Sequence, residues 1–289
     1  MYPTLSYLIH DLTGLDVNLP VPTFGFVVAL SFWAAYWVFT REFKRKMAMG
    51  GIPPLSVHRL MDTLLLCCGV LGFAGAVLLA MIEDPHGFHY NGLNYYGGLI
   101  FGSLTYLVIT RFKGIPFAVA ADIGSPGMML AYGLGRIGCH LSGDGDWGTV
   151  HTAPAPYWLP AWAWGCRYPH NVIHEGAYIP GCGGAYCTEL VEPVYPTSLY
   201  EAIACLLLFA WLWFLRRRIT RPGLLFALFA FLVGTERFLI EFIRVTPRYA
   251  FLGLSQAQYI SLLYIGLSIF MYFYALKSGS NAKIVPIKT

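Results

Sequence analysis

Arg136, Arg237 and Arg244, together with Glu236 and Glu241, lie inside or at the edge of apolar stretches of the chain. A charged side chain at the centre of a membrane helix costs about 2.5–3.5 kcal/mol on insertion scales, so groups placed there mark chemistry by default. They form two sets. The first is Gly-Leu-Gly-Arg-Ile-Gly-Cys-His-Leu-Ser-Gly-Asp-Gly-Asp-Trp-Gly, Gly133 to Gly148, in which a helix carrying Arg136 runs out into a turn-rich acidic segment. The second is Glu-Arg-Phe-Leu-Ile-Glu-Phe-Ile-Arg, Glu236 to Arg244; on a helix, Arg237, Glu241 and Arg244 fall at i, i+4 and i+7 and share one face. A guanidinium fork matches phosphate geometry, so Arg136 and Arg237 brought together would grip an anion such as a lipid phosphate. The competing arrangement is an internal ion pair, Arg237 or Arg244 with Glu241, that merely holds helices together.

The elements that must position these groups are membrane helices. Of 289 residues, 57% are hydrophobic and only 12% charged, too few charges to solvate a soluble domain of this size. Runs that satisfy the length of a span lie at Val21–Phe39, Met61–Ile82, Gly97–Thr110, Phe117–Leu141, Thr197–Leu215, Leu224–Ile243 and Ala257–Leu276. The third is short and glycine-rich, and Gly124, Pro126 and Gly127 are expected to break the fourth. The fold class is therefore an all-α polytopic membrane protein of about seven spans, a single transmembrane domain over residues 1–289.

Basic residues set the orientation. Fourteen of the nineteen Lys and Arg residues fall in one set of connections: Arg41, Lys44, Arg45, Lys46, Arg59, Arg111, Lys113, Arg216, Arg217, Arg218, Arg221, Lys277, Lys283 and Lys288. The opposite connections hold only Arg167 and Arg248. This asymmetry puts the amino terminus outside and the carboxyl terminus inside a bacterial inner membrane, and it assigns the net charge of +4 to topology, with no nucleic-acid partner. No cleavable signal peptide is apparent in residues 1–20, which lack a basic start and contain Asp11 and Asp16. The segment after Lys277 (Ser278, Gly279, Ser280, Asn281) reads as a short disordered end.

Between the fourth and fifth spans, residues 142–196 form the one outside loop long enough for a periplasmic cap. Its Trp147, Tyr157, Trp158, Trp162, Trp164, Tyr168 and Tyr178 suit either the lipid headgroup interface or the packing of a small stapled subdomain. Cys166, Cys182 and Cys187 offer one disulfide in an oxidising compartment, with the pair undetermined. His151, His170 and His174 lie nearby, but no compact ligand spacing supports a metal, and none is assigned.

Four stretches taken in order resemble the prolipoprotein diacylglyceryl transferase family: Tyr96–Ile100 (Tyr-Gly-Gly-Leu-Ile), Gly135–Gly138 (Gly-Arg-Ile-Gly), Tyr195–Glu201 (Tyr-Pro-Thr-Ser-Leu-Tyr-Glu) and Glu236–Arg244. The likeness extends to Pro22–Gly25 and Asp122 and covers most of the chain outside the cysteine-bearing loop. It implies transfer of a diacylglyceryl group from phosphatidylglycerol to the lipobox cysteine thiol of a preprolipoprotein, with phosphatidylglycerol, preprolipoprotein signal peptides and membrane lipids as partners and no cofactor. By the same resemblance, Arg136 matches the arginine of a Gly-Arg-x-Gly-Asn motif, Arg237 a second key arginine, and Glu241 the acidic position one turn later. Asp144 falls at the place of a glutamate after that motif and Gly148 at its closing glycine. Gly97, Gly98, Cys139, Tyr200, Glu201 and Arg244 complete the expected substrate contacts.

The chain departs from the family pattern where protons are handled. Cys139 replaces the motif's asparagine, Tyr96 a histidine, and Phe24 a tyrosine, while Gly72–Val77 lacks an arginine. Tyr96 would need a strongly lowered pKa to act as a base, whereas His140 titrates near neutrality without help; His140 is the expected substitute, set against a plain hydrogen-bonding role at a span end. Thr197 is placed to cap the fifth span. Two rival readings stay open: a family-like enzyme with another acceptor, and a non-enzymatic phospholipid-binding or transport protein.

Overall fold

The computed structural model describes residues 1–84 and 92–279; Lys283 and Lys288 of the basic tally, and Ser280 and Asn281 of the expected tail, lie outside them. Among the described residues the regular structure is helical but for one short hairpin, and the segment between α5 and α7 is largely irregular. The order is α1 (Leu5–Thr13), α2 (Thr23–Ala48), α3 (Val57–Glu83), α4 (Tyr95–Phe112), α5 (Phe117–Ser142), α6 (Ala161–Trp164), β1 (Ala177–Tyr178), β2 (Thr188–Glu189), α7 (Thr197–Leu215), α8 (Leu224–Ile240) and α9 (Gln256–Gly279). Five helices, α2, α3, α5, α7 and α9, are long and apolar enough to cross a membrane, and the protein is a multi-pass membrane protein. The expected third and sixth spans are the shorter helices α4 and α8, of 18 and 17 residues. At about 1.5 Å per residue the latter reaches only about 26 Å, against a hydrocarbon core of about 30 Å.

α5 is the central helix. It packs against α2, α7 and α8, and most of its residues from Ala118 to Gly127 are buried. The expected break at Gly124–Gly127 does not occur, since α5 runs unbroken through Pro126. Packing on every side of this turn outweighs the missing amide hydrogen bond. A methyl at Gly127 would lie 2.3 Å from the Phe39 ring, so glycine is what lets α2 approach here.

The basic connections gather at one end. There Glu42 of α2 accepts from Arg216 Nε just past α7 at 2.6 Å and from Arg45 Nη2 at 2.7 Å. Asp122 accepts from the backbone amides of Gly223 and Phe226 at 2.8 and 2.9 Å, satisfying orphan donors at the start of α8. Around them Phe43, Ile52, Val57, Leu60, Ile115, Val119 and Ile123 form an apolar cluster.

The opposite end carries the cap. α5 stops at Gly143, whose φ of +65° fits the left-handed conformation glycine adopts readily. Trp147, Cys166, Tyr168, Leu190 and Val194 then form the cap's own small core. Cys182 and Cys187 are the disulfide pair, closing the turn beyond β1, and Cys166 is a buried free thiol. The amino-terminal residues, expected to precede the first element, instead fold as α1: Tyr2 N donates to Leu141 O of α5 at 2.7 Å and Thr23 N of α2 to Pro3 O at 3.1 Å, while Met1 packs on the cap's core and Tyr7 on the His170 ring.

Candidate functional site

Where α5, α7 and α8 meet beneath the cap, the arginines converge. Glu201, in the second turn of α7, is fully buried and is the hub. Its Oε1 pairs with Arg237 Nη1, and its Oε2 lies 3.1 Å from Arg136 Nε and 3.4 Å from Arg244 Nη1. Asp146 makes a second bridge, pairing through Oδ2 with Arg136 Nη1 and through Oδ1 with Arg244 Nη2 at 2.5 Å. Glu241 completes the set, 3.1 Å from Arg237 Nη2 and 3.8 Å from Arg244 Nε. Arg237 pairs with Glu241 on its own helix end, the internal ion pair expected of these residues, and it is also joined to Arg136 across helices through Glu201.

Three guanidinium groups face three carboxylates, so the cluster is formally neutral, as burial in a low-dielectric site requires. The Arg136 guanidinium also stacks 5.1 Å from the Tyr132 ring centroid. The Tyr96 hydroxyl, in the first turn of α4 capped by the Asn94 side chain, approaches Arg237.

Arg244 reaches this cluster by a route the helical spacing does not describe. α8 ends at Ile240, three residues short of the expected boundary, because the Ile243 carbonyl turns out to accept from Thr149 N at 2.8 Å, and Arg244 pairs with Gly148 in an isolated bridge. Gly148 is required there: a methyl would meet Ile243 O at 2.6 Å and Tyr195 Cβ at 2.8 Å. The segment after α5 is thereby laced to the ends of α7 and α8. Thr197, expected as a cap, instead donates from Oγ1 to the Asp146 carbonyl at 3.0 Å, with Pro196 at the N-cap.

Asp146, which no expectation singled out, lies in this segment. Burial pushes its carboxyl up, but Arg136 and Arg244 outweigh burial and hold it down at about 2. Asp144 moves the other way: burial, then the charge of Asp146, raise it above the usual carboxylate range. Cys139 Sγ, Asp144 and Asp146 place one ligand atom each within 4.8 Å of one another. Asp146 is already committed to two arginines, and that positive surround suits an anion better than a cation.

The remaining expected residues sit as follows. Gly97 packs against α3, where a methyl would strike the Gly75 carbonyl at 2.2 Å, and Gly98 lies over Ala76. Cys139 Sγ is 3.8 Å from Arg136 Nη1. The His140 ring engages the Tyr168 hydroxyl at 3.2 Å and lines a cavity of about 400 Å³ with Tyr2, Tyr7, Asp11 and His170, so its described contacts lie with the cap and α1 rather than with the arginines. The Tyr200 hydroxyl donates to Ala163 O of the cap at 2.8 Å. Glu236 joins the site's surroundings with one carboxylate oxygen buried and without a protein partner among the described residues.

Membrane helices that bring three arginines together on a buried glutamate under a cap define a polytopic membrane protein with a charged site inside its helix bundle. The sequence profile of the family described as prolipoprotein diacylglyceryl transferase matches residues 12–274, and the chain belongs to that family. It is 30% identical over 193 residues to the phosphatidylglycerol–prolipoprotein diacylglyceryl transferase of Dehalococcoides mccartyi, a match covering 66% of this chain and 64% of that one. With the protein of the same name from Corynebacterium glutamicum the identity is 27% over 275 residues, covering 90% of this chain and 81% of the relative. The chain thus spans a little under two thirds of the length of the Dehalococcoides relative.

Proposed function

We propose that this chain transfers the diacylglyceryl group of phosphatidylglycerol to the cysteine thiol of a preprolipoprotein lipobox. The sulfur attacks the glycerol carbon that bears the phosphoester, the carbon–sulfur bond forms as the carbon–oxygen bond breaks, and glycerol phosphate leaves with the electron pair. The thiol proton passes to a base on the protein.

The observation that carries this reading is the meeting of Arg136, Arg237 and Arg244 on the buried Glu201. Charge develops on the departing phosphate, and preorganised guanidinium donors in a water-poor site stabilise it most at that moment. Arg136 and Arg237 hold the phosphate, and Arg244 buttresses them through Glu201 and Asp146. Glu241 fixes the Arg237 fork. Tyr96 orients the headgroup beside Arg237, with Cys139 and Gly148 shaping the wall next to Arg136. Asp144 is the best-placed proton acceptor, since its raised pKa gives it more basicity than an ordinary carboxylate and it borders Cys139 and Arg136. His140 would then serve the cap.

In this reading α4 and α8 complete seven spans, the basic end faces the cytoplasm, and the cap faces the periplasm of a bacterial inner membrane. Complementation of a strain depleted of its own diacylglyceryl transferase tests the assignment. Growth restored by the wild-type chain and not by Arg136→Ala supports it; equal failure of both, with the wild-type protein present in the membrane, removes it.

A further inference from the structure

Residues 152–166 of the cap, Thr-Ala-Pro-Ala-Pro-Tyr-Trp-Leu-Pro-Ala-Trp-Ala-Trp-Gly-Cys, contain no charged residue and no histidine. A charge-free run of this length is foreign to a water-facing loop, yet it lies outside the long apolar helices. Its ends are pinned to one place. Val150 and Cys166 both bridge to Val194, His151 N donates to Pro193 O at 2.8 Å, and the Trp164 indole donates to Ala153 O at 3.1 Å. The segment is therefore a closed loop with its two roots together.

From those roots it displays its rings outward. Tyr157 is 102% exposed, Trp158 68% and Trp162 61%, whereas Trp147 and Tyr168 of the same cap are buried in its core. The two roles open to the cap aromatics are thus divided between different residues. Buried rings pack the subdomain and Trp164 packs on His151 at the loop's root, whereas Tyr157, Trp158 and Trp162 stay exposed.

The height of the loop is fixed by α7. Tyr200 lies in the first turn of that membrane-crossing helix, and its hydroxyl holds the Ala163 carbonyl at 2.8 Å. Ala163, one residue from Trp162, is therefore held level with the first turn of α7. Amphipathic aromatic rings at that depth partition into the headgroup–acyl boundary, and the absence of charge removes the penalty for following them in.

We propose that the loop of residues 152–166 is a monotopic anchor, inserting Tyr157, Trp158 and Trp162 into the interfacial layer of the leaflet on the cap side. It tethers the cap over the mouth of the helix bundle, independently of which reaction the arginines serve.

Tryptophan emission tests it in lipid nanodiscs of phosphatidylcholine and phosphatidylglycerol. The spectrum of Trp158→Phe/Trp162→Phe, which keeps both positions aromatic, is subtracted from that of the wild type, and each single variant is measured alongside to guard against misfolding of the pair. Acyl-brominated phosphatidylcholine should remove most of the difference emission while aqueous iodide leaves it intact. Quenching by iodide with no response to brominated lipid overturns the proposal. So does shielding from iodide that appears only when a lipobox peptide is added, which would make the loop a peptide-docking surface instead.

Discussion

Replacing Glu201 with glutamine isolates the charge that holds the arginine cluster together. With Glu201, Asp146 and Glu241 against Arg136, Arg237 and Arg244, the cluster sums to zero, three minus three; after Glu201→Gln it carries one uncompensated positive charge. Removing one partner of a buried ion pair costs about 3–5 kcal/mol, and because the amide keeps one acceptor oxygen the low end applies, about 3 kcal/mol. That uncompensated charge attracts an anion. Glycerol phosphate should therefore stabilise Glu201→Gln more than wild type, and at a hundredfold excess over its dissociation constant it would return about 2.7 kcal/mol. Denaturant unfolding in detergent micelles, with and without glycerol phosphate, reads both effects. A variant as stable as wild type, or one destabilised with no response to the anion, would refute the reasoning that these guanidinium groups form a phosphate site.

Asp146 gives a pH signature. Its pKa is depressed to about 2 from the ordinary 3.8, so its stabilisation, on the order of 2 kcal/mol, is complete above about pH 4 and is lost as pH falls toward 2; acid titration of unfolding should show that loss in wild type and not in Asp146→Asn. Gly148→Ala inserts a methyl 2.6 Å from Ile243 O and should cost about 1–3 kcal/mol by displacing Arg244, visible as a lowered unfolding midpoint together with weakened glycerol phosphate binding. Cys182→Ser/Cys187→Ser opens a bridge between residues only five apart, for which chain entropy predicts about 2 kcal/mol; limited proteolysis should cut the cap near the hairpin while the helical bundle stays intact.

Much of the site was readable in the chain because membranes penalise charge. Arg136 and Arg237 stand out for sitting in apolar runs, and that physical cost, more than any motif, is what directs attention to them. Asp146 escapes the same logic: it lies two residues from Asp144 in a glycine-rich turn where a carboxylate costs nothing, and only the fold returns that turn to Arg136 and Arg244. The Asp-x-Asp pair so soon after an intramembrane arginine was the available signal. Helical periodicity overreached at Arg244, since α8 yields to the cross-link between Thr149 and Ile243 before reaching it. Propensity likewise misled at Pro126, where close packing of α5 overrides the missing hydrogen bond. α1, α6 and the hairpin are too short for periodicity to register, and the pairing of Cys182 with Cys187 rests on turn geometry that spacing alone leaves open.

The most direct measurement is mass spectrometry of a synthetic lipobox peptide after incubation with the purified protein and phosphatidylglycerol. A diacylglyceryl thioether on the cysteine, with glycerol phosphate released in equal amount and both lost in Arg136→Ala and Arg237→Ala, is the predicted result. An unmodified peptide, or modification that persists undiminished in both arginine variants, would contradict it.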